Sequence, residues 1–143
     1  MSYLVDTNVL SKPAKPKPDA KVIAWLRVNE SRLYVSTVTI GEMRRGIERL
    51  PSGRRKTQLR ASLVALCDSM KGQDLSFNPS TAHVWGLLKA KWDVAGIVIP
   101  SLDSLIAATA QRHQLTIVTR NTVDLAKTGM KLLESFKSAS FSQ

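Results

Sequence analysis

The sequence is short of sulfur, imidazole and acid, and each shortage removes a class of function. A single cysteine, Cys67, excludes an internal disulfide and a cysteine-based zinc cluster. Its neighbours Leu63, Leu66 and Met70 recur at helical spacing, so Cys67 is expected to be a core thiol. Two histidines, His83 and His113, have no metal-ligand spacing between them. His83 reads as a surface or packing residue, and His113 as a cation favoured at a helix C-terminus. No apolar run approaches the ~20 residues of a membrane span. The first residues lack the basic start, apolar middle and small-residue cleavage site of a signal peptide. The expectation is a cytoplasmic protein without membrane association.

Acid is the scarcest of the common groups. Asp and Glu number 11 against 21 Lys and Arg, which gives a formal net charge of +10 and a pI near 10.2. This excess speaks of partners and not of fold. Nucleic acid is the first polyanion to consider, because Lys and Arg contacts to phosphate dominate such affinity. An acidic protein is the second, and a merely solvated basic face the plain alternative. What is present in ordinary amount is hydrophobic residue, 43% of 143 residues, enough for the core of one domain. The expected organisation is a single domain over 1–134 and a flexible Ser- and Lys-rich tail over 135–143.

One stretch organises the chain. Tyr3-Leu4-Val5 runs straight into Asp6. A continuous apolar run reads as a strand buried on both faces of a parallel sheet. Asp6 then stands at its carboxyl end, where open α/β sheets bind ligands. The plain alternative is that Asp6 caps the following turn or helix.

Next, Pro13, Pro16 and Pro18 between lysines predict a stiff extended loop, and Asp19 a cap for a helix to about Glu30. Leu33 to Ser36 predicts a short strand. Thr37 to Leu50 predicts a helix with Ile40, Met43, Ile47 and Leu50 on one face and Arg45 and Arg49 opposite. Glu42 falls on the border, with Gly46 one turn on leaving space beside it. A capping box from Thr39 is the plain reading of Glu42. Helices are predicted over Arg54 to Met70, from Asn78-Pro79 to about Ala95-Gly96, and from Ser101 to His113. In the last of these Asp103 sits in the first turn, where the helix dipole alone would favour it. Asp74 to Phe77, Leu115 to Thr119 and Met130 to Leu133 complete the strands. Arg120-Asn121-Thr122-Val123-Asp124 follows the Leu115 strand as a polar cluster, just as Asp6 follows the first.

Strands alternating with helices imply a parallel or mostly parallel sheet. Asp6 and the Asn121/Asp124 cluster follow strands, and Glu42 and Asp103 begin helices, so all converge on one edge. Two bare carboxylates ~4 Å apart repel by about 4 kcal/mol at an effective dielectric of 20. Such a group persists with raised pKa values or a bound cation. Oxygen ligands without paired His or Cys select Mg²⁺ or Mn²⁺. A metal held by acids on a basic protein points to phosphodiester hydrolysis. The metal would orient and activate a water and offset charge on the scissile phosphate.

Four segments together carry a family resemblance. They are Leu4-Val5-Asp6-Thr7-Asn8-Val9-Leu10, Gly41-Glu42-Met43-Arg44-Arg45-Gly46, Leu102-Asp103-Ser104-Leu105-Ile106-Ala107-Ala108-Thr109-Ala110 and Val118-Thr119-Arg120-Asn121-Thr122. In this order the chain resembles the PIN-domain family, and within it the VapC-type and FitB-like toxins of toxin–antitoxin pairs. The resemblance implies an α/β/α sandwich and a Mg²⁺- or Mn²⁺-dependent endoribonuclease acting on RNA. It also implies a homodimer, a cognate antitoxin, and contact with DNA only through that antitoxin. It places the acidic metal positions on Asp6, Glu42 and Asp103. The fourth falls on Asp124, with Asn121 as a polar helper, because Asn121 stands where some relatives carry Asp. The hydroxyl near the metal maps to Thr7 or Thr119, with Thr119 preferred. The ending Leu133-Glu134-Ser135-Phe136 departs from the Asn-Pro common in relatives. The alternative function is a weakly active module that serves mainly as a nucleic-acid-binding partner of the antitoxin. A phosphoaspartate enzyme built on Asp6 is disfavoured, since Asn8 stands where one such family uses a second Asp.

Overall fold

Five short apolar runs form the strands β1 (Tyr3–Val5), β2 (Leu33–Ser36), β3 (Asp74–Leu75), β4 (Thr116–Thr119) and β5 (Leu132–Glu134). The structure is a computed structural model and describes residues 1–10, 20–120 and 122–134. The Pro- and Lys-rich loop, the Asp19 cap, Asn121 and the tail from 135 lie outside the described residues. The strands lie in one sheet in the order β3-β2-β1-β4-β5. Every pairing is parallel, with Leu4 opposite Tyr34 on one side and Ile117 on the other. All five carboxyl ends therefore share one edge of the sheet.

Side chains alternate across a strand, and this alternation separates two cores. Val5, Leu33, Val35 and Val118 face one way. There they meet α1 (Thr7–Leu10), α2 (Ala20–Val28), α3 (Thr37–Glu48) and α4 (Arg54–Ser69) through Val9, Val22, Ile40, Met43 and Leu66. Leu4 and Ile117 face the other way, against Ile106 and Ala110 of α6 (Ser101–His113) and Leu125 of α7 (Thr122–Ala126). Trp92 of α5 (Pro79–Ala95) packs on Ile99 and Ala107 beside them. The result is the expected three-layer α/β/α sandwich. Ala107, Ala108 and Ala110 are fully buried, which lets α6 approach its neighbours closely.

The caps place the site helices. Ser36 ends β2 and caps α3, its Oγ accepting from the Val38 N–H at 3.1 Å. Thr39 is therefore inside α3, and the cap that the plain alternative for Glu42 gave to Thr39 is made by Ser36. Thr39 is fully buried, and among the described residues its hydroxyl has no hydrogen-bond partner. Asn78 caps α5 by accepting from the Thr81 N–H and hydroxyl at 3.0 and 3.1 Å. Gly96 closes α5 at φ 73°, a left-handed conformation that suits glycine. Two further expectations change. Cys67 is half-buried, because α4 turns only Leu63 fully inward, with Met70 buried at its C-cap. His113 lies in the last turn of α6 as expected, and burial and the neighbouring Arg112 lower its pKa, which weakens the charged cap read from the sequence.

Candidate active site

Asp6 is the pivot of the carboxyl edge. Its backbone N–H donates to the Val118 carbonyl at 2.9 Å, which extends the pairing of β1 with β4 by one residue. Its own carbonyl accepts from the Val9 and Leu10 N–H groups at 3.1 and 3.2 Å, which starts α1. The chain thus turns from strand to helix at Asp6. Its side chain is buried, 9% exposed. One carboxylate oxygen accepts from the Thr7 N–H at 2.8 Å, so a local capping role is present. The other accepts from the Thr119 hydroxyl at 2.9 Å, across 113 residues of sequence. Thr119 ends β4 and is fully buried. Two hydrogen bonds from separate strand ends fix the orientation of the carboxylate.

Glu42 stands in the second turn of α3, half-buried. Its Oε2 lies 3.4 Å from the Thr7 hydroxyl, a long contact that links it to the Asp6 turn. Thr7 and Thr119 thus stand on either side of the acids. Asp103 is half-buried in the first turn of α6. Below it, Trp85 Nε1 donates to Ser104 Oγ at 3.0 Å, and Ser104 Oγ donates to the Ser101 carbonyl at 2.6 Å. This chain pins the turn that carries Asp103 to α5. Asp124 is in the first turn of α7, and Lys127 Nζ lies 3.7 Å from its Oδ1.

Electrostatics tie the four acids together. The Asp103 pKa is pushed up from 3.8 to about 6, first by burial and then by the charges of Asp6, Asp124 and Glu42. Carboxylates from β1, α3 and α7 therefore project their fields onto one group on α6. Among the described residues no three of these acids close into a ready-made cation cage. The donors are oxygens only, so the set fits a hard cation. Asn121 lies outside the described residues.

Two features escaped the sequence reading. Lys127 pairs with Asp124 at a spacing of three residues, a signal that was present in the sequence. The second is a groove of about 350 Å³ that shares Thr7 and Glu42 with the acid group. Gly46 lines it, as the space expected beside Glu42 implied, but so do Arg45 and Arg49. The helix pattern places those arginines opposite the apolar face and does not show that they share a groove with Glu42.

Comparison with known proteins agrees with this fold. The PIN domain family model matches residues 3–129. Toxin FitB of Neisseria gonorrhoeae is 35% identical over 121 residues, 83% of this chain and 87% of that protein. The VapC ribonuclease Y4jK of Sinorhizobium fredii is 31% identical over 138 residues, 95% of this chain and 99% of that protein. The crystal structure of FitAcB from Neisseria gonorrhoeae superposes with a TM-score of 0.83 at 32% identity, covering 92% of this chain and 96% of that one. With the parallel sheet, the helix layers and the acids at the carboxyl edge, these likenesses make the chain a member of the PIN-domain family, in its VapC-type and FitB-like branch.

Proposed function

We propose that the protein is the toxin of a toxin–antitoxin pair and acts as a Mg²⁺- or Mn²⁺-dependent endoribonuclease. The observation that carries this reading is the convergence of Asp6, Glu42 and Asp124 on Asp103. An acid raised to about 6 by burial first and then by three neighbouring carboxylates is a site that a divalent cation would relieve. Asp6, Glu42, Asp103 and Asp124 would hold the cation. When bound, it makes water a stronger nucleophile at neutral pH and offsets charge on the phosphate.

The remaining steps belong to the protein's own groups. Thr119 fixes the rotamer of Asp6 by donating to Oδ2, so one carboxylate oxygen keeps a set direction. The Thr7 N–H holds Oδ1 from the other side. Thr7 also touches Glu42, which couples the two carboxylates through one side chain. Asp103, half-buried in the first turn of α6, brings its carboxylate into the field of Asp6, Asp124 and Glu42, where it would help to hold the cation. Asn121 is the proposed polar helper to Asp124. The excess of Lys and Arg supplies contacts to the flanking RNA phosphates.

The reading includes a cognate antitoxin, a homodimer, a cytoplasmic setting and DNA contact only through the antitoxin. Among the described residues no helix is long and apolar enough to cross a membrane. A second reading, a weakly active module that mainly serves its antitoxin, draws on Lys127. An ammonium 3.7 Å from Asp124 competes with a cation for that carboxylate. RNA incubated with Mg²⁺, Mn²⁺ or EDTA separates the two. Metal-dependent cleavage supports the first. Intact RNA with retained nucleic-acid binding supports the second.

A further inference from the structure

The cations of α3 and α4 fall into two groups. Arg44, Lys56 and Arg60 gather on Glu48, with Arg44 Nε 2.8 Å from Oε2 and Arg60 Nη2 2.6 Å from Oε1. Arg45, Arg49 and Arg55 are exposed, and among the described residues no carboxylate pairs with them. All three line the groove between α3 and α4. Its floor is apolar, formed by Met43, Ile47, Leu50 and Leu59. Its volume of about 350 Å³ is at the small end of ligand sites. Its far wall includes Thr7 and Glu42, so a ligand here touches the acid group.

An apolar floor beneath three guanidiniums, none in an ion pair among the described residues, suits one chemistry well. A nucleobase offers a face for the floor, and its phosphates offer charge for the arginines. We propose that this groove is a nucleotide subsite, holding a nucleotide that flanks the scissile phosphate of single-stranded RNA. This rests on the ribonuclease reading. An acidic protein segment would answer the arginines equally, but it has no need of the shared wall at Glu42. A polymer cut at the acid group must pass this wall.

The test is anisotropy of a short fluorescein-labelled single-stranded RNA, in EDTA, as a function of salt. Each phosphate contact contributes about 0.7 to the slope of log affinity against log salt. The variant Arg45→Gln/Arg49→Gln/Arg55→Gln is expected to lower the slope by up to about 2. The charge-matched variant Arg27→Gln/Arg32→Gln/Arg112→Gln, near the edge where β2 and β4 begin, keeps the wild-type slope. Gly46→Leu fills the groove. A Cβ at Gly46 meets nothing within 4 Å, so the helix accepts it. This variant is expected to bind about tenfold more weakly at an unchanged slope, with wild-type circular dichroism.

Equal slopes for the two triple variants, or full affinity in a folded Gly46→Leu, overturn the subsite. So does wild-type protein that binds no RNA, or arginine dependence seen with polyglutamate and not with RNA. Cleavage assays separate this from the parent reading. Arginine-dependent binding without metal-dependent cleavage defeats the nuclease reading, and with it the assignment beside a scissile phosphate, and leaves only an RNA-binding groove. Cleavage with equal slopes does the reverse.

Discussion

Replacing Asp103 with asparagine is expected to stabilise the protein in EDTA. Asp103 is held at a pKa of about 6 by burial and by Asp6, Asp124 and Glu42, against 3.8 for a free side chain. The native state therefore binds the proton more tightly than the unfolded state. Below 3.8 the group is protonated in both states and costs nothing. As pH rises from 3.8 to about 6 the native state loses stability, and above 6 the loss is complete. At 1.36 kcal/mol per pH unit the rise amounts to about 3 kcal/mol. Asp103 is half-buried, and solvent screening reduces this to about 1–2 kcal/mol. Asparagine imitates the protonated acid and never charges. Thermal melts by circular dichroism should show little difference between variant and wild type near pH 4. The variant should gain about 3–8 °C by about pH 7. Saturating Mg²⁺ should narrow that gap by raising the wild type more than the variant. A variant no more stable than wild type near pH 7, or a gap unchanged from pH 4 to 7, refutes the mutual repulsion of the acids.

Two further perturbations probe the scaffold. Thr119→Val keeps the shape of a buried side chain and removes the hydrogen bond to Asp6 Oδ2. Hydrogen bonds to charged groups contribute about 1.5–3 kcal/mol, so urea denaturation should show a loss of that order together with slower RNA cleavage. Glu48→Gln releases Arg44, Lys56 and Arg60 on the exposed side of α3 and α4. Arg60 above all, then Arg44, holds the Glu48 pKa down from 4.5 to about 2. Its contribution is present above 4.5 and fades as pH falls toward about 2. A small fall in melting temperature near pH 7, absent near pH 2 and in 1 M salt, is the expected result.

The sheet was legible because its strands are short apolar runs that end in polar residues. Tyr3 to Val5 and Thr116 to Thr119 kept nearly their predicted bounds. Long amphipathic helices were legible for the same reason. The short helices α1 and α7 were not, since four or five residues give no period to read. The Ser36 cap was hidden behind Thr39, three residues later, which offers the same cap chemistry. The convergence of Asp6, Glu42, Asp103 and Asp124 followed from topology, because parallel strands bring their carboxyl ends to one edge. The arginine groove did not. Whether an arginine is answered by Glu48 or left facing Glu42 depends on how α4 lies across α3, and no spacing within α3 encodes that.

The central claim is that Asp6 and its neighbours form a metal-dependent phosphodiesterase. Purified wild type and Asp6→Asn should be incubated side by side with RNA in Mg²⁺, Mn²⁺ and EDTA. Asp6 takes hydrogen bonds from Thr7 and Thr119, and asparagine retains the shape that those donors meet. The account predicts cleavage by wild type that requires Mg²⁺ or Mn²⁺, stops in EDTA, and is lost in a folded Asp6→Asn. Equal cleavage by the two proteins, or wild-type cleavage that persists in EDTA, would contradict it.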